Sequence, residues 1–517
     1  MAIGTTGASS RIWLIVGVLG VVGLALFMGW AVGVGITGLP IYALVILILL
    51  TLMMINPATG PFAFLAAVHI LPFLPPSITS PGYTTEVYVF GLSATNALLL
   101  MLAGSWFMRF AVAQRVTLPM GPVGKVVLIF LAFMTVSMIR SVLIRTYFPA
   151  PAIRETALNY VAYWRAGVIA PLFALLIMQT HINKRHFMLI LKLYAIVMIM
   201  GVLAGVEIVA DTSGESMLTA HLRGAPLNLG ILMIPFYGIA VTMILLDSRM
   251  IHRLFWLALM LLATIPVGYL HRRGTYVAIL AEVIIVFIYL IKDRKSNKMM
   301  VVFLFLVIVA VGVFFMPETI IERVQYTFYD PSSGVERFDP SVGVRFLLWG
   351  VAVKKILETW WIALVGLGFA RAPSVTREAL GSGLSIHNTY LQEFLDHGIP
   401  GIALMIACYV VLFRMFRLMR NAPEPLAAAF GNALMAFTIS IQLWNIAHST
   451  SVSEGQHGMM LWVIAALVTT QLHPGGMFAD VRLPDGRLGK ELLGYPPGAA
   501  EHTNQSADLQ AQKPANH

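Results

Sequence analysis

Stretches of about twenty apolar residues, each long enough to cross the hydrocarbon core of a bilayer as a helix, follow one another from residue 12 to residue 472. About fourteen can be read, at 12–34, 41–55, 61–74, 88–108, 126–144, 158–178, 187–209, 229–246, 254–270, 275–291, 299–316, 399–414, 427–446 and 455–472. Composition agrees, because 58% of the 517 residues are hydrophobic and 11% charged, against about a quarter charged in a soluble domain. The fold class that follows is all-α, a polytopic transmembrane helical bundle. The first run is too long for a signal-peptide core and lacks an obvious small-residue cleavage site, so it reads as an anchor helix. Cys408, the only cysteine, sits in an apolar run, which excludes a disulfide framework and a cysteine metal site. The formal charge of +10 is scattered between the spans rather than gathered in one basic domain, so nucleic acid is not an expected partner.

Lys and Arg concentrate on cytoplasmic loops, and here every second loop is basic. Arg109, Arg115 and Lys125 lie on one, then Lys184 and Arg185, Arg249 and Arg253, Lys292 to Lys298, and Arg414, Arg417 and Arg420. With fourteen spans these fall on one side, which puts both termini in the cytoplasm. Three regions result: transmembrane helices over 1–210, a second transmembrane region over 211–472 that includes an external loop at 317–398, and a tail at 473–517. The tail, rich in Pro and Gly and polar at its end, reads as a largely disordered cytoplasmic extension.

The loop at 317–398 is too long for a simple turn and must have its own structure. Within it Phe346, Trp349, Val353, Ile356 and Trp360 recur at helical spacing, with Arg345, Lys354, Lys355 and Glu358 off that stripe. Two readings are open: an amphipathic helix lying on the outer membrane surface, or a helix packed on the loop's own core.

External loops should be poor in arginine, yet Arg223 stands in HLRGAPLNLG, and Arg272 and Arg273 stand in HRRGTY at the outer end of a span. A guanidinium at that depth needs an anion, and its planar fork suits phosphate; snorkelling to lipid headgroups is the plainer reading of any one of them. In SIHNTYLQEFLDHGIPG, His387 lies at the outer surface, where an imidazole titrating near neutrality can take a proton from a hydroxyl nucleophile. Asn388 and Tyr390 are candidate substrate contacts beside it, Asn388 being equally suited to cap a helix. Arg154, His397, Trp444, Asn445 and His448 are further external positions suited either to sugar or to packing. Glu207 and Glu282 fall within apolar runs and need a partner or a wet cavity.

His387, Asn388, nine residues and then Gly398 resemble the signature of the O-antigen ligase and O-antigen polymerase family of bacterial membrane proteins, most specifically as HNTYLQEFLDHGIPG. Arg345 with Trp349, followed by GLG at 366–368, is similar to the family's approach to that histidine. Arg273 in RRGTYV resembles its Arg-Gly step, although Arg272 and Val277 stand where the family often has Ser and Leu. Arg223 in RGAPLN is similar to the preceding external arginine. The resemblance covers roughly residues 215–470 and is strong over 343–402.

It implies a GT-C-like bundle in the bacterial inner membrane that performs metal-independent glycosyl transfer on the external, periplasmic side, without a cofactor. The implied donor is an oligosaccharide on undecaprenyl diphosphate, and the acceptor a glycan or lipid. Carried over, His387 would activate the acceptor hydroxyl, while Arg223 and Arg273, with Arg272 beside them, would hold the diphosphate, Arg345 either adding a phosphate contact or docking the amphipathic helix; charge developing on such a leaving group can be stabilised by guanidiniums. No Asp-x-Asp pair of the metal-dependent kind is present. The carrier's polyprenyl tail would need a lateral apolar groove. The long external loop and extra spans favour a polymerase of exopolysaccharide or O-antigen repeats; a ligase moving the finished glycan to lipid A core in lipopolysaccharide biosynthesis, or to another acceptor, is the alternative. A transporter or flippase without chemistry would need ionisable residues or broken helices at mid-bilayer, and these are sparse.

Overall fold

The computed structural model describes residues 59–65, 88–89, 92–93, 99–107, 120–147, 157–180, 182–210, 226–269, 273–292, 297–314, 340–381, 384–448, 455–483 and 486–495. The chain divides into two compact units, one of residues 1–118 with 179–182 and one of 119–178 with 183–517.

The first unit holds α1 (Thr59–Leu65), a hairpin of β1 (Tyr88–Val89) and β2 (Leu92–Ser93), and α2 (99–107). Gly60 lies so close to Leu102 that a Cβ there would stand 2.7 Å from its Cδ1. The expected spans at 12–34 and 41–55 lie outside the described residues. The expected span at 88–108 needs correction at its start, where Tyr88 pairs with Ser93 and Val89 with Leu92 in an antiparallel ladder. The Val-Tyr-Val run at 87–89 favours extended chain, a local preference that a hydropathy window averages away.

The second unit is helical: α3 (Gly121–Tyr147), α4 (Ala157–Met178), α5 (Lys184–Ala210), α6 (Pro226–Leu246), α7 (Met250–Tyr269), α8 (Arg273–Lys292), α9 (Lys298–Phe314), α10 (Pro340–Glu358), α11 (Trp361–Val365), α12 (Ala372–Leu380), α13 (Thr389–Arg420), α14 (Pro425–Ala447) and α15 (Gly455–Thr470). Among the described residues seven helices are long and apolar enough to cross a membrane, and three shorter apolar helices run over Gly230–Leu246, Lys298–Ala310 and Gly458–Thr470. Each coincides with one of the expected runs from residue 126 onward. Apart from the β1–β2 hairpin the described residues are helical, and the protein is a multi-pass helical membrane protein.

Helix α14 is the axis of the bundle and packs on α6, α8 and α13. Phe430, Leu434, Phe437, Ile441 and Trp444 are buried along it. Where lipid is as apolar as leucine, helices associate through close packing at small residues. Gly238 of α6 supplies one such approach: a Cβ there would lie 2.9 Å from the Cβ of Ala433 and 2.5 Å from Glu282 Oε1. The buried Glu282 accepts a hydrogen bond from Ser440 Oγ at 3.0 Å, which supplies the partner its apolar run required. The side chain of Glu207 lies outside the described residues. At one membrane face Arg420 Nη2 donates to the carbonyl of Tyr289 at 3.1 Å, tying the end of α13 to the end of α8. The starts of both helices therefore share the opposite face.

The segment from 340 to 398 folds around a small apolar core of its own, in which Ala352, Ile362, Val375, Ile386 and Leu395 are buried and Trp349, Ile356 and Leu391 pack against them. This divides the stripe expected on α10. Trp349 and Ile356 face that core, while Phe346, Val353 and Trp360 are exposed. Apolar side chains occupy more than one face of this helix, and the face bearing Trp349 and Ile356 fits the reading of a helix packed on the loop's own core.

Residues beyond 470 also depart from expectation. Gly489 N–H donates to Val481 O and Lys490 N–H to Ala479 O, both at 2.9 Å, Arg482 bridges Leu488, and a 3-10 turn spans Gly489–Leu493. Phe478 and Leu493 are buried. The disorder expected from residue 473 is thus absent over 473–483 and 486–495, because apolar side chains spaced through a Pro- and Gly-rich stretch find cover against the bundle.

Candidate functional site

Asn388 has extended backbone (φ −150°, ψ 110°) and its Oδ1 accepts the N–H of Leu391 at 3.0 Å, which caps α13. Immediately before it, His387 stands in the left-handed region at φ +52°, where a non-glycine residue costs on the order of 1 kcal/mol or more. Bonds on both sides hold it there. Trp349 Nε1 donates to the carbonyl of Ile386 at 3.0 Å, and Thr389 Oγ1 donates to the carbonyl of His448 at 2.8 Å. The imidazole of His387 is left exposed between two pinned neighbours.

The contacts of His448 extend this cluster to α8. Its ring stacks on Trp444 with centroids 3.9 Å apart and planes 11° apart. A Cβ added to Gly274 would stand 2.9 Å from His448 Cε1, so the first turn of α8 lies flush against the ring. Gly274 follows Arg273, whose backbone opens α8. The starts of α8 and α13 thus meet through one histidine, and His387 and Arg273 belong to the same corner of the protein.

Partial burial depresses the pKa of His387 below its ordinary value, and the neighbouring positive charge of Arg345 lowers it further. The neutral imidazole, able to accept a proton, therefore prevails at neutral pH. Arg345 reaches this position from α10, the same helix whose Trp349 pins Ile386.

Beneath the site a polar clasp fixes the segment that carries it. Asp396 accepts the backbone N–H groups of Arg371 and Ala372 at 2.8 and 2.6 Å, setting a carboxylate against the first turn of α12, where the helix dipole favours negative charge. Leu367 N–H donates to Leu395 O at 2.7 Å and Gly368 N–H to Asp396 O at 2.9 Å. From α3, Arg140 donates to the carbonyls of Val365 and Gly366, while the buried guanidinium of Arg371 donates to Ser141 O at 3.2 Å.

Of the residues expected to form the site, His387, Arg345 and the backbone of Arg273 are brought together. Arg223, Arg272 and Arg154 lie outside the described residues, as does the side chain of Arg273. Asn388 is buried and its Oδ1 serves the cap; Tyr390 donates to Gln442 Oε1 at 2.7 Å. His397 is buried and paired through Nδ1 with Glu393 at 2.8 Å, Asn445 is buried and donates to Tyr409 at 3.2 Å, and Trp444 is buried beneath His448. His397, Asn445 and Trp444 are thus enclosed within the protein, while Tyr390 is half-buried and lines a cavity. The supporting roles of Thr389, Asp396, Arg371 and Arg140 have no signature in the sequence, since their partners lie far along the chain.

No curated protein matches the chain. Residues 257–406 match the family model described as O-Antigen ligase. That stretch runs from α7 into α13 and contains Arg273, Arg345, His387 and Gly398. The corner built from Arg273, Arg345 and His387 therefore lies within the stretch that is similar to the O-antigen ligase family.

Proposed function

We propose that the protein transfers a glycan from undecaprenyl diphosphate to an acceptor hydroxyl at the external face of the bacterial inner membrane, and that it polymerises the repeat units of an exopolysaccharide or O-antigen. The observation that carries this reading is the exposed His387, held in a left-handed turn with a depressed pKa beside the start of α8. In this mechanism neutral His387 accepts the acceptor's hydroxyl proton as its oxygen attacks the anomeric carbon. The bond to the diphosphate breaks with its electron pair on the leaving oxygen. Arg223 and Arg273, with Arg272 and Arg345 beside them, stabilise that charge by bidentate contact, so no metal is required. Positive loops place the Arg420 end of α13 in the cytoplasm and the His387 end outside, where a lipid diphosphate would present its head group.

Ligation of a finished glycan to lipid A core or another acceptor is the second reading, since it uses the same chemistry. Deleting the gene in its host and resolving surface, secreted and lipopolysaccharide glycans by size separates the two. Loss of long polymer with single repeat units remaining is expected. Long polymer persisting on its lipid carrier while absent from its final acceptor would establish the ligase. Unchanged glycans would contradict both readings.

The proton-acceptor role also sets a pH dependence. Because the folded pKa of His387 lies below its ordinary value, the free base persists through neutrality, and transfer falls only as pH drops through that lowered pKa. Arg345→Gln removes a positive charge that disfavours the imidazolium, so the acid limb of the pH–rate profile moves to higher pH. A limb that stays in place would reduce Arg345 to docking of α10 or contact with the diphosphate.

A further inference from the structure

At the membrane face opposite His387, a cavity of about 520 Å³ opens between the start of α3, the end of α13 and the folded segment after α15. Four cationic side chains line it, Lys125 from α3, Arg414 and Arg417 from α13, and Arg487 from the segment beyond α15, and none of the lining residues is acidic. Leu483 and Leu492 form part of its wall. Three separate stretches of chain converge to build it. The last is anchored by the backbone pairs that join 479–481 to 489–490 and by Leu493, whose Cδ2 would lie 2.7 Å from a Cβ added to Gly121.

Arg414 and Arg417 also line a second cavity, a lateral groove of about 480 Å³ between α13 and α14. Its walls are largely apolar, with Ile406, Val410, Phe413 and Ile439 along it. A basic pocket at the membrane edge and an apolar groove running into the bilayer thus share two arginines. Soluble anions use the first feature and have no use for the second. A molecule with a phosphate head and a hydrocarbon chain matches both, and basic pockets between transmembrane helices are a known kind of site for anionic lipid head groups.

We propose that Lys125, Arg414, Arg417 and Arg487 form a binding site for an anionic phospholipid, its head group in the basic pocket and an acyl chain in the groove beside Val410 and Phe413. The basic pocket contains none of the residues of the corner at His387 and does not depend on the chemistry assigned there, whereas the groove runs on as far as Tyr390 and Gln442.

The full-length protein, purified in detergent and stripped of lipid, would be offered phosphatidylglycerol or phosphatidylcholine in mixed micelles, and the bound lipid counted by native mass spectrometry. Retention of phosphatidylglycerol over phosphatidylcholine by about tenfold or more is expected, and Arg417→Gln with Arg487→Gln should remove most of that preference. These side chains are exposed, so the variant is expected to fold, which an unchanged melting temperature verifies; if it does not fold, Lys125→Gln alone should weaken the preference. His387→Ala should leave it intact. Equal retention of the two lipids, or a preference that survives in the folded variants, would overturn the site. Displacement by millimolar inorganic pyrophosphate or chain-free glycerophosphoglycerol would make the ligand a soluble phosphate compound. Displacement by an equimolar polyprenyl phosphate, or loss of the preference in His387→Ala, would assign the groove to the carrier lipid instead.

Discussion

His387→Ala is expected to lower glycosyl transfer by about 10²–10⁴-fold, the usual contribution of a positioned general base, with expression and membrane insertion unchanged. The side chain is exposed, so its removal opens no cavity in the bundle. The backbone is the complication. At φ +52° an alanine is slightly strained, and a loss of activity could reflect a relaxed turn rather than a missing base. His387→Asn separates the two effects, because asparagine tolerates the left-handed region but cannot accept a proton near neutrality. If both variants are inactive, and both keep the melting temperature of the parent, the imidazole is the group required. Polymer of normal amount and length from either one would remove His387 from the mechanism.

Why a histidine is held in this conformation follows from its neighbours. An ordinary turn would let the side chain fold back on the loop, whereas here the carbonyl of Ile386 is fixed by Trp349 and the next residues are fixed by the cap and by Thr389. Strain at a functional residue persists only when surrounding structure over-determines it. Those restraints come from α10, the start of α13 and the end of α14, and the bonded residues lie 37 and 59 positions apart in sequence. They explain what a motif at 387–398 contains beyond its base: Asn388 ends one element and begins the next, and the glycine at its far end serves a contact described below.

The spans from residue 126 onward were legible because each is set by local composition, and a window of twenty apolar residues needs no knowledge of its neighbours. Reading failed where a local preference opposed that average, as at Tyr88–Ser93, or where tertiary cover decided the outcome, as in the stretch after α15. The site divided in the same way. His387, Arg345 and Arg273 stood out because they break the expected distribution of charge or match a spaced pattern. Asp396 did not, although it caps α12 and supports the loop, because its partners Arg371 and Ala372 lie 25 and 24 residues away and nothing in the intervening sequence announces the pairing. For His397 and Asn445 the sequence left both sugar contact and packing open, because polar residues at a span end suit either, and their burial favours packing.

Gly398→Ala is expected to be as damaging as loss of the base, by a different route. Gly398 has φ +66° and ψ −159° inside α13, a region open essentially to glycine alone, and it produces the break that separates the first turns of that helix from its long apolar remainder. A Cβ there would lie 2.9 Å from Ile362 O, Ala363 O and Gly366 N. All three are backbone atoms, which cannot rotate away as a side chain would. Gly366 meets the same contact from the other side, where an added Cβ would collide with the backbone of Asp396 and His397. Alanine at 398 must therefore push α11 from α13, breaking the bonds of Leu367 and Gly368 to Leu395 and Asp396 and loosening the carboxylate that caps α12. A destabilisation above about 3 kcal/mol is expected, read as a fall in melting temperature in detergent, faster proteolysis between 359 and 388, and loss of transfer. Gly381 is the control. It ends α12 at φ +70° with none of the described residues within 4 Å of an added Cβ, so Gly381→Ala bears only the conformational strain of about 1 kcal/mol and should remain active. If the two substitutions prove equally mild, the close approach of α11 to α13 does not hold His387 in place, and the geometry of the site must rest on Trp349 and Thr389 alone.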